Sequence, residues 1–269
     1  MKTFTWLGLF FLSALFASAQ SAGDFHVVKT VNGNIVNFTV DNLGFIYLLS
    51  SDNQLKKIGT DGDSIGVFND VKRYGKLYSM DVSNPLKVLL FYKDFSTIVV
   101  LDRFLSTVNV IDLRRQGIFQ TRAIAQSFDN NIWVFDEQES KLKKIGEDGS
   151  ILSETTDLRL VFDTAPSPVK IIDQDKFVYL YDPAKGMYIF DYYGALKNQI
   201  RLLGWKDVQV IGKNIVGRDE HNFYSYELGT LNMKQRVLPG AISKAEKIRI
   251  MPQAVYVLGD SGLQVYAYQ

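Results

Sequence analysis

The sequence predicts an all-β protein, a six-bladed β-propeller closed by an N-terminal outer strand, and three observations carry that expectation. Beyond Gly23 there is no helix-period stretch of useful length; short runs of β-branched and aromatic residues alternate with Gly, Asp and Asn turns. The runs repeat at intervals of about 40 residues, the period of a blade with about four strands. Finally, the last unit runs out of sequence after its third strand, while an unused strand-like segment precedes the first unit.

Met1 and Lys2 give a short positive start, residues 3–16 an apolar run, and Ala17-Ser18-Ala19 the small residues a signal peptidase prefers. Residues 1–19 therefore read as a secretory signal cut before Gln20, too short in its apolar part for a spanning helix of about 20 residues. Residues 20–269 remain as one domain, expected in the periplasm or another space outside the cytoplasm, with no direct membrane span. There is no cysteine among the 269 residues, so disulfides, thiolate catalysis and Cys-based zinc sites are excluded. With 30 basic against 29 acidic residues, the surplus a non-specific nucleic-acid binder needs is absent.

Residues 25–31 form the candidate closing strand. The clearest unit follows: a turn at Asp41-Asn42, a strand over 45–49, a second over 54–59 and a hairpin turn at Asp61-Gly62. Val88 opens the next unit, with strands at 88–92 and 97–101. A near copy of the first unit runs from Asp129-Asn130 through 132–135 and 141–146 to Asp148-Gly149. Weaker copies place strand pairs at 177–181 and 187–190, at 215–216 and 223–226, and at 254–258 and 263–266. Six units result. Runs that do not alternate, such as Leu89-Leu90-Phe91, fit strands buried on both faces between packed blades.

Residues 41–68 and their copy at 129–152 resemble the repeat of NHL-type six-bladed propellers. That resemblance implies architecture; the family holds scaffolds, ligand binders and a few enzymes, so function does not transfer. The domain as a whole also resembles accessory propellers of bacterial envelope machines, including those of type IX secretion. This second resemblance implies a non-catalytic scaffold whose partner is an outer-membrane or envelope complex subunit, with blockage of an export channel from its periplasmic side as one such role. The rival expectation is a cation-dependent lactonase-like or lyase-like enzyme, or a binder of small molecules or glycans, at the mouth of the channel.

Two serine motifs read as turns. Gly62-Asp63-Ser64-Ile65-Gly66 fits G-x-S-x-G, but the serine follows a hairpin turn and enters a strand, whereas a nucleophile elbow joins strand to helix. Gly259-Asp260-Ser261-Gly262 is followed by Leu263 and reads as the corresponding hairpin of the last blade. His26 and His221 are the only histidines, the first on the closing strand and the second in a polar hairpin, so no cofactor is expected, though an oxygen-only calcium site stays open. No phosphate-cradling loop is present.

The candidate contact residues fall in two groups. Inner strands bring Asp81, Arg122, Lys170, Asp207 and Arg249 near the channel, as a ligand-contact ring or as groups solvating a wet axis. Tyr192, Tyr193 and Trp205, in connecting loops, are candidate exposed anchors for a protein partner or glycan, while most other aromatics belong to interblade packing. The basic pairs Lys72-Arg73 and Arg114-Arg115 are further contact candidates, with solvated loop charge as the plain alternative.

Overall fold

The computed structural model describes residues 26–267; the leader lies outside the described residues. The described residues begin with β1 (His26–Val31), then enter the first blade, β2 (Ile35–Val40), β3 (Ile46–Ser50), β4 (Leu55–Ile58) and β5 (Ser64–Phe68). A single helical turn, α1 (Val71–Tyr74), leads to the second blade, β6 (Ser79–Asn84), β7 (Lys87–Tyr92), β8 (Thr97–Asp102) and β9 (Thr107–Asp112). The third is β10 (Thr121–Gln126), β11 (Ile132–Asp136), β12 (Lys141–Ile145) and β13 (Ile151–Glu154). The fourth is β14 (Lys170–Gln174), β15 (Phe177–Asp182), β16 (Gly186–Asp191) and β17 (Leu196–Ile200). The fifth is β18 (Lys206–Ile211), β19 (Asn214–Arg218), β20 (Asn222–Glu227) and β21 (Met233–Val237). The sixth holds β22 (Lys247–Met251), β23 (Ala254–Gly259) and β24 (Gly262–Ala267), with β1 as its outer strand.

The expected closure is therefore present. β1 runs antiparallel to β24, pairing Thr30 with Gln264 and Val31 with Leu263. Closing the ring in this way removes an edge that would otherwise offer unpaired backbone groups. Gly262 makes the approach possible. Its φ is +98°, and a Cβ there would lie 2.6 Å from the Val31 carbonyl oxygen.

Core packing follows from the two-residue period of a strand. In β7, Leu89 and Phe91 point into a cluster with Ile124, Ile132 and Val134 of the third blade. Val88, Leu90 and Tyr92 point the other way, against Tyr47, Leu49 and Leu55 of the first. Six such clusters alternate with six sheets, so middle strands such as β7, β8 and β15 are apolar on both faces and their sequences do not alternate. Burying one such leucine contributes about 2 kcal/mol, and the ring distributes that gain over every interblade seam.

Asp dominates the turns for a local reason. The Oδ1 of Asp102 accepts hydrogen bonds from the Phe104 and Ser106 N–H groups, and Asp191 accepts likewise from Tyr193 and Ala195. These carboxylates are spent on backbone donors, the use Asx turns make of aspartate. Ser64 opens β5 after the turn from β4. The Asp260-Ser261 turn, expected at the corresponding place, instead joins β23 to β24, the second and third strands of its blade. Neither serine stands at a strand-to-helix elbow. Among the described residues no helix is long and apolar enough to cross a membrane.

Candidate functional site: the axial cavity and the two disc faces

In each blade the first strand lies innermost. Because the strands meander, the turns after the first and third strands emerge on one side of the disc, the hairpin face. The turns after the second strands, and the connectors between blades, emerge on the other, the connector face.

The inner strands enclose a cavity of about 430 Å³ on the axis, lined by Asp81, Lys170, Asp207 and Arg249 together with Lys247 and Asn37. Four of the five expected channel residues thus converge. The fifth does not: Arg122 donates to Ser167 Oγ at 3.1 Å and lies 3.9 Å from Glu137, outside the cavity lining. Two of the converging residues are also stitches between blades. Asp81 accepts the Gln126 N–H of the third blade at 2.8 Å, and Asp207 accepts the Ile248 N–H of the sixth at 3.0 Å. Gln209 makes a paired version, donating to the Ile250 carbonyl and accepting the Ile250 N–H.

The cations of the cavity are crowded. Lys170 Nζ donates to the Val208 carbonyl at 2.5 Å and Lys247 Nζ to Asn37 Oδ1 at 2.6 Å. Burial, followed by the neighbouring Arg249 and Lys247, pushes Lys170 down to about 7. Burial lowers Lys247 to about 8 and also depresses Arg249. Among the described residues no group of three or more His, Cys, Asp or Glu side chains is placed to hold a metal ion.

The loop candidates divide between the faces. Lys72 and Arg73 lie exposed on α1, and Arg114 and Arg115 lie exposed on a helical turn after β9, all on the connector face. Arg114 is held by Asp112 through Nε and Nη2, both at 2.9 Å. Trp205 lies in the connector before β18 but is only 7% exposed. It stacks on Tyr224 at 5.1 Å, and its carbonyl accepts the Tyr181 hydroxyl. The expectation of an exposed Trp205 anchor is therefore corrected: its indole fills a seam between the fourth and fifth blades.

Tyr192 and Tyr193 sit on the hairpin face, opposite the basic pairs. Tyr193 is fully presented, 96% exposed. Tyr192 is half-buried, and its expected role as a free anchor is corrected too. Its hydroxyl donates to Asp173 Oδ1 at 2.6 Å and its ring stacks on Phe128 at 4.5 Å and 6°. Trp133 Nε1 donates to the other Asp173 oxygen at 2.8 Å. The ammonium of Lys144, paired with Asp129 at 2.7 Å, lies 4.6 Å from the Trp133 ring, 5.4 Å from Phe128 and 5.5 Å from Tyr192. Three rings thus surround a cation supplied by the chain itself, which fixes Phe128 in place with 67% of its surface exposed.

Phe128 was not singled out in the sequence, nor were Leu43, Leu86, Phe104 and Leu231, all exposed in turns of the same face. The signal was legible: an apolar residue inside an Asp, Asn or Pro turn has no core to enter.

The class this geometry defines is the six-bladed β-propeller. Among solved structures, the chain resembles the Pan2 WD40 domain of Neurospora crassa, with a TM-score of 0.62 and 15% identity over 90% of this chain and 81% of that one. It also resembles the virginiamycin B lyase of Staphylococcus aureus, with a TM-score of 0.60 and 11% identity over 90% of this chain and 99% of that one. A chain of the mitotic checkpoint complex matches with a TM-score of 0.59 and 8% identity over 87% and 77% of the two chains. At these identities the likeness shows the fold alone. No known protein family and no curated protein matches the sequence.

Proposed function

We propose that the protein is a non-catalytic propeller, exported to the periplasm, that binds a protein subunit of a secretion or outer-membrane assembly with its hairpin face. The observation that carries this reading is the placement of Phe128, Tyr193 and Leu231, exposed by 67%, 96% and 97%, on turn tips of one face. Large apolar side chains on rigid tips make contact area at little entropic cost. Neighbours of this fold include a chain of a multiprotein complex, the mitotic checkpoint complex. In its finer form, the rigid disc covers the periplasmic mouth of an outer-membrane protein-export channel such as that of type IX secretion. Against the cation-dependent form of the rival reading, the axis is crowded by Lys170, Lys247 and Arg249 where a metal ion would need anionic ligands.

The test is site-specific photocrosslinking in native envelopes. A photoreactive residue at Tyr193 or Leu231 is expected to trap one outer-membrane protein, while the same group at Leu160, exposed on the connector face, traps none. Equal yields from both faces, or no adduct from the hairpin face, would overturn the reading.

A further inference from the structure

We infer that the axial cavity is a binding site for a small oxyanion, a phosphate or a dicarboxylate, gripped by Lys170, Lys247 and Arg249. The inference is independent of the docking face. Arg249 Nε is buried and makes no hydrogen bond among the described residues, although more than nine in ten buried polar groups in proteins are satisfied. A buried guanidinium nitrogen bordering a cavity is matched by an oxyanion in both charge and geometry. Among the described residues Lys170 and Lys247 each make one hydrogen bond, and an ammonium has three protons to donate.

The balance of charge points the same way. Asp81 faces the cavity, but its two oxygens accept the Ser83 and Gln126 N–H groups. Asp207 Oδ2 accepts from Arg218 Nε at 2.6 Å and from Ile248. Asp173, at the hairpin end, is engaged by Tyr192 and Trp133. Lys206, toward the connector rim, faces Glu220 at 3.6 Å. With Asp207 matched by Arg218 and Lys206 by Glu220, Lys170, Lys247 and Arg249 stand against Asp81 and Asp173, an excess of one positive charge on the axis when both lysines are protonated. Such an excess raises the local concentration of anions and is relieved when one binds. The volume of about 430 Å³ lies in the range of small-molecule sites.

The experiment titrates the full domain with phosphate, sulfate and succinate at constant ionic strength, by calorimetry and thermal shift. Saturable binding at one site is expected, with a melting temperature raised by about 5–10 °C at a hundredfold excess over Kd. Arg249→Met and Lys170→Met are each expected to weaken binding at least tenfold, while Arg115→Met on the connector face leaves it unchanged. Without anion, Arg249→Met is expected to melt at or above the parent temperature, because it removes an unsatisfied charge. That readout separates lost binding from lost folding. Absence of saturable binding by every anion, or an undiminished response in both Arg249→Met and Lys170→Met, would overturn the inference.

Discussion

Asp207 and Arg218 form an ion pair at 2.6 Å in the fifth blade, and the same Asp207 oxygen receives the backbone N–H of Ile248 in the sixth. Arg218 Nη2 continues the link to the carbonyls of Ala245 and Glu246. Asp207 reaches this position through a left-handed backbone, φ +54°, where the pairing register of β18 and β19 shifts. One strained residue therefore ties two blades.

Asp207→Ala is expected to cost about 3–5 kcal/mol, because it strands a buried guanidinium. Asp207→Gly loses the same pair but is expected to recover about 1 kcal/mol through its tolerance of the left-handed backbone. Urea unfolding of the two variants measures the difference. Equal midpoints would show that the backbone at Asp207 stores no strain.

Removing residues 26–31 strips the outer strand from the sixth blade. Five paired positions disappear, a loss of roughly 5 kcal/mol at about 1 kcal/mol for each hydrogen bond. The melting temperature is expected to fall by about 10–20 °C. Gly262→Ala is expected to show a milder form of the same defect, since its new methyl meets the Val31 carbonyl. Calorimetry decides; an unchanged melting temperature after the deletion would remove β1 from its closing role.

On the hairpin face, Tyr193→Ala and Leu231→Ser touch nothing in the core. Stability is expected to stay within about 0.5 kcal/mol of the parent. Affinity for the partner trapped in envelopes is expected to drop by about 2 kcal/mol for at least one of them. Unfolding curves run beside binding isotherms distinguish a lost contact from a damaged fold.

The cavity lysines set a pH dependence. Burial lowers both, with Arg249 and Lys247 adding repulsion at Lys170 and Arg249 at Lys247, against the attraction of Asp207 and, at Lys170, Asp81. Unfolded lysines hold their protons to about 10.4, whereas Lys170 and Lys247 release theirs from about 7 and about 8. Between those limits the unfolded chain binds more protons, so stability rises with pH from about 7 toward 10. Urea midpoints at several pH values are expected to climb, and to climb less in Lys170→Met. A flat or falling parent profile would contradict the lowered lysines.

The ring itself could be read before any coordinates, because a blade is a local pattern: Asp41-Asn42 and Asp129-Asn130 mark turns, and double-faced burial makes runs such as Leu89-Leu90-Phe91. The site was only half legible. Lys170 and Arg249 sit on inner strands whose register the repeat fixes, so their convergence follows from counting. Arg122 has the same placement but is drawn to Glu137, a contact that depends on a neighbouring turn. Trp205 was misread because a loop position says nothing about burial when a connector folds back into a seam. The exposure of Phe128 was legible from its place in an Asp-Asn turn, but the stacking that holds its ring comes from Tyr192, 64 residues further along, and was not.

The pairing of Thr30 with Gln264 has a kinetic meaning as well. Every other strand pairing among the described residues joins neighbours along the chain, and such local hairpins assemble quickly, whereas this one waits until all six blades have been made. Until it forms, β24 presents an open template to any other extended chain. An extended chain that pairs with β24 first would block closure, so the exposed edge of β24 is the place where slow closure turns into association between copies.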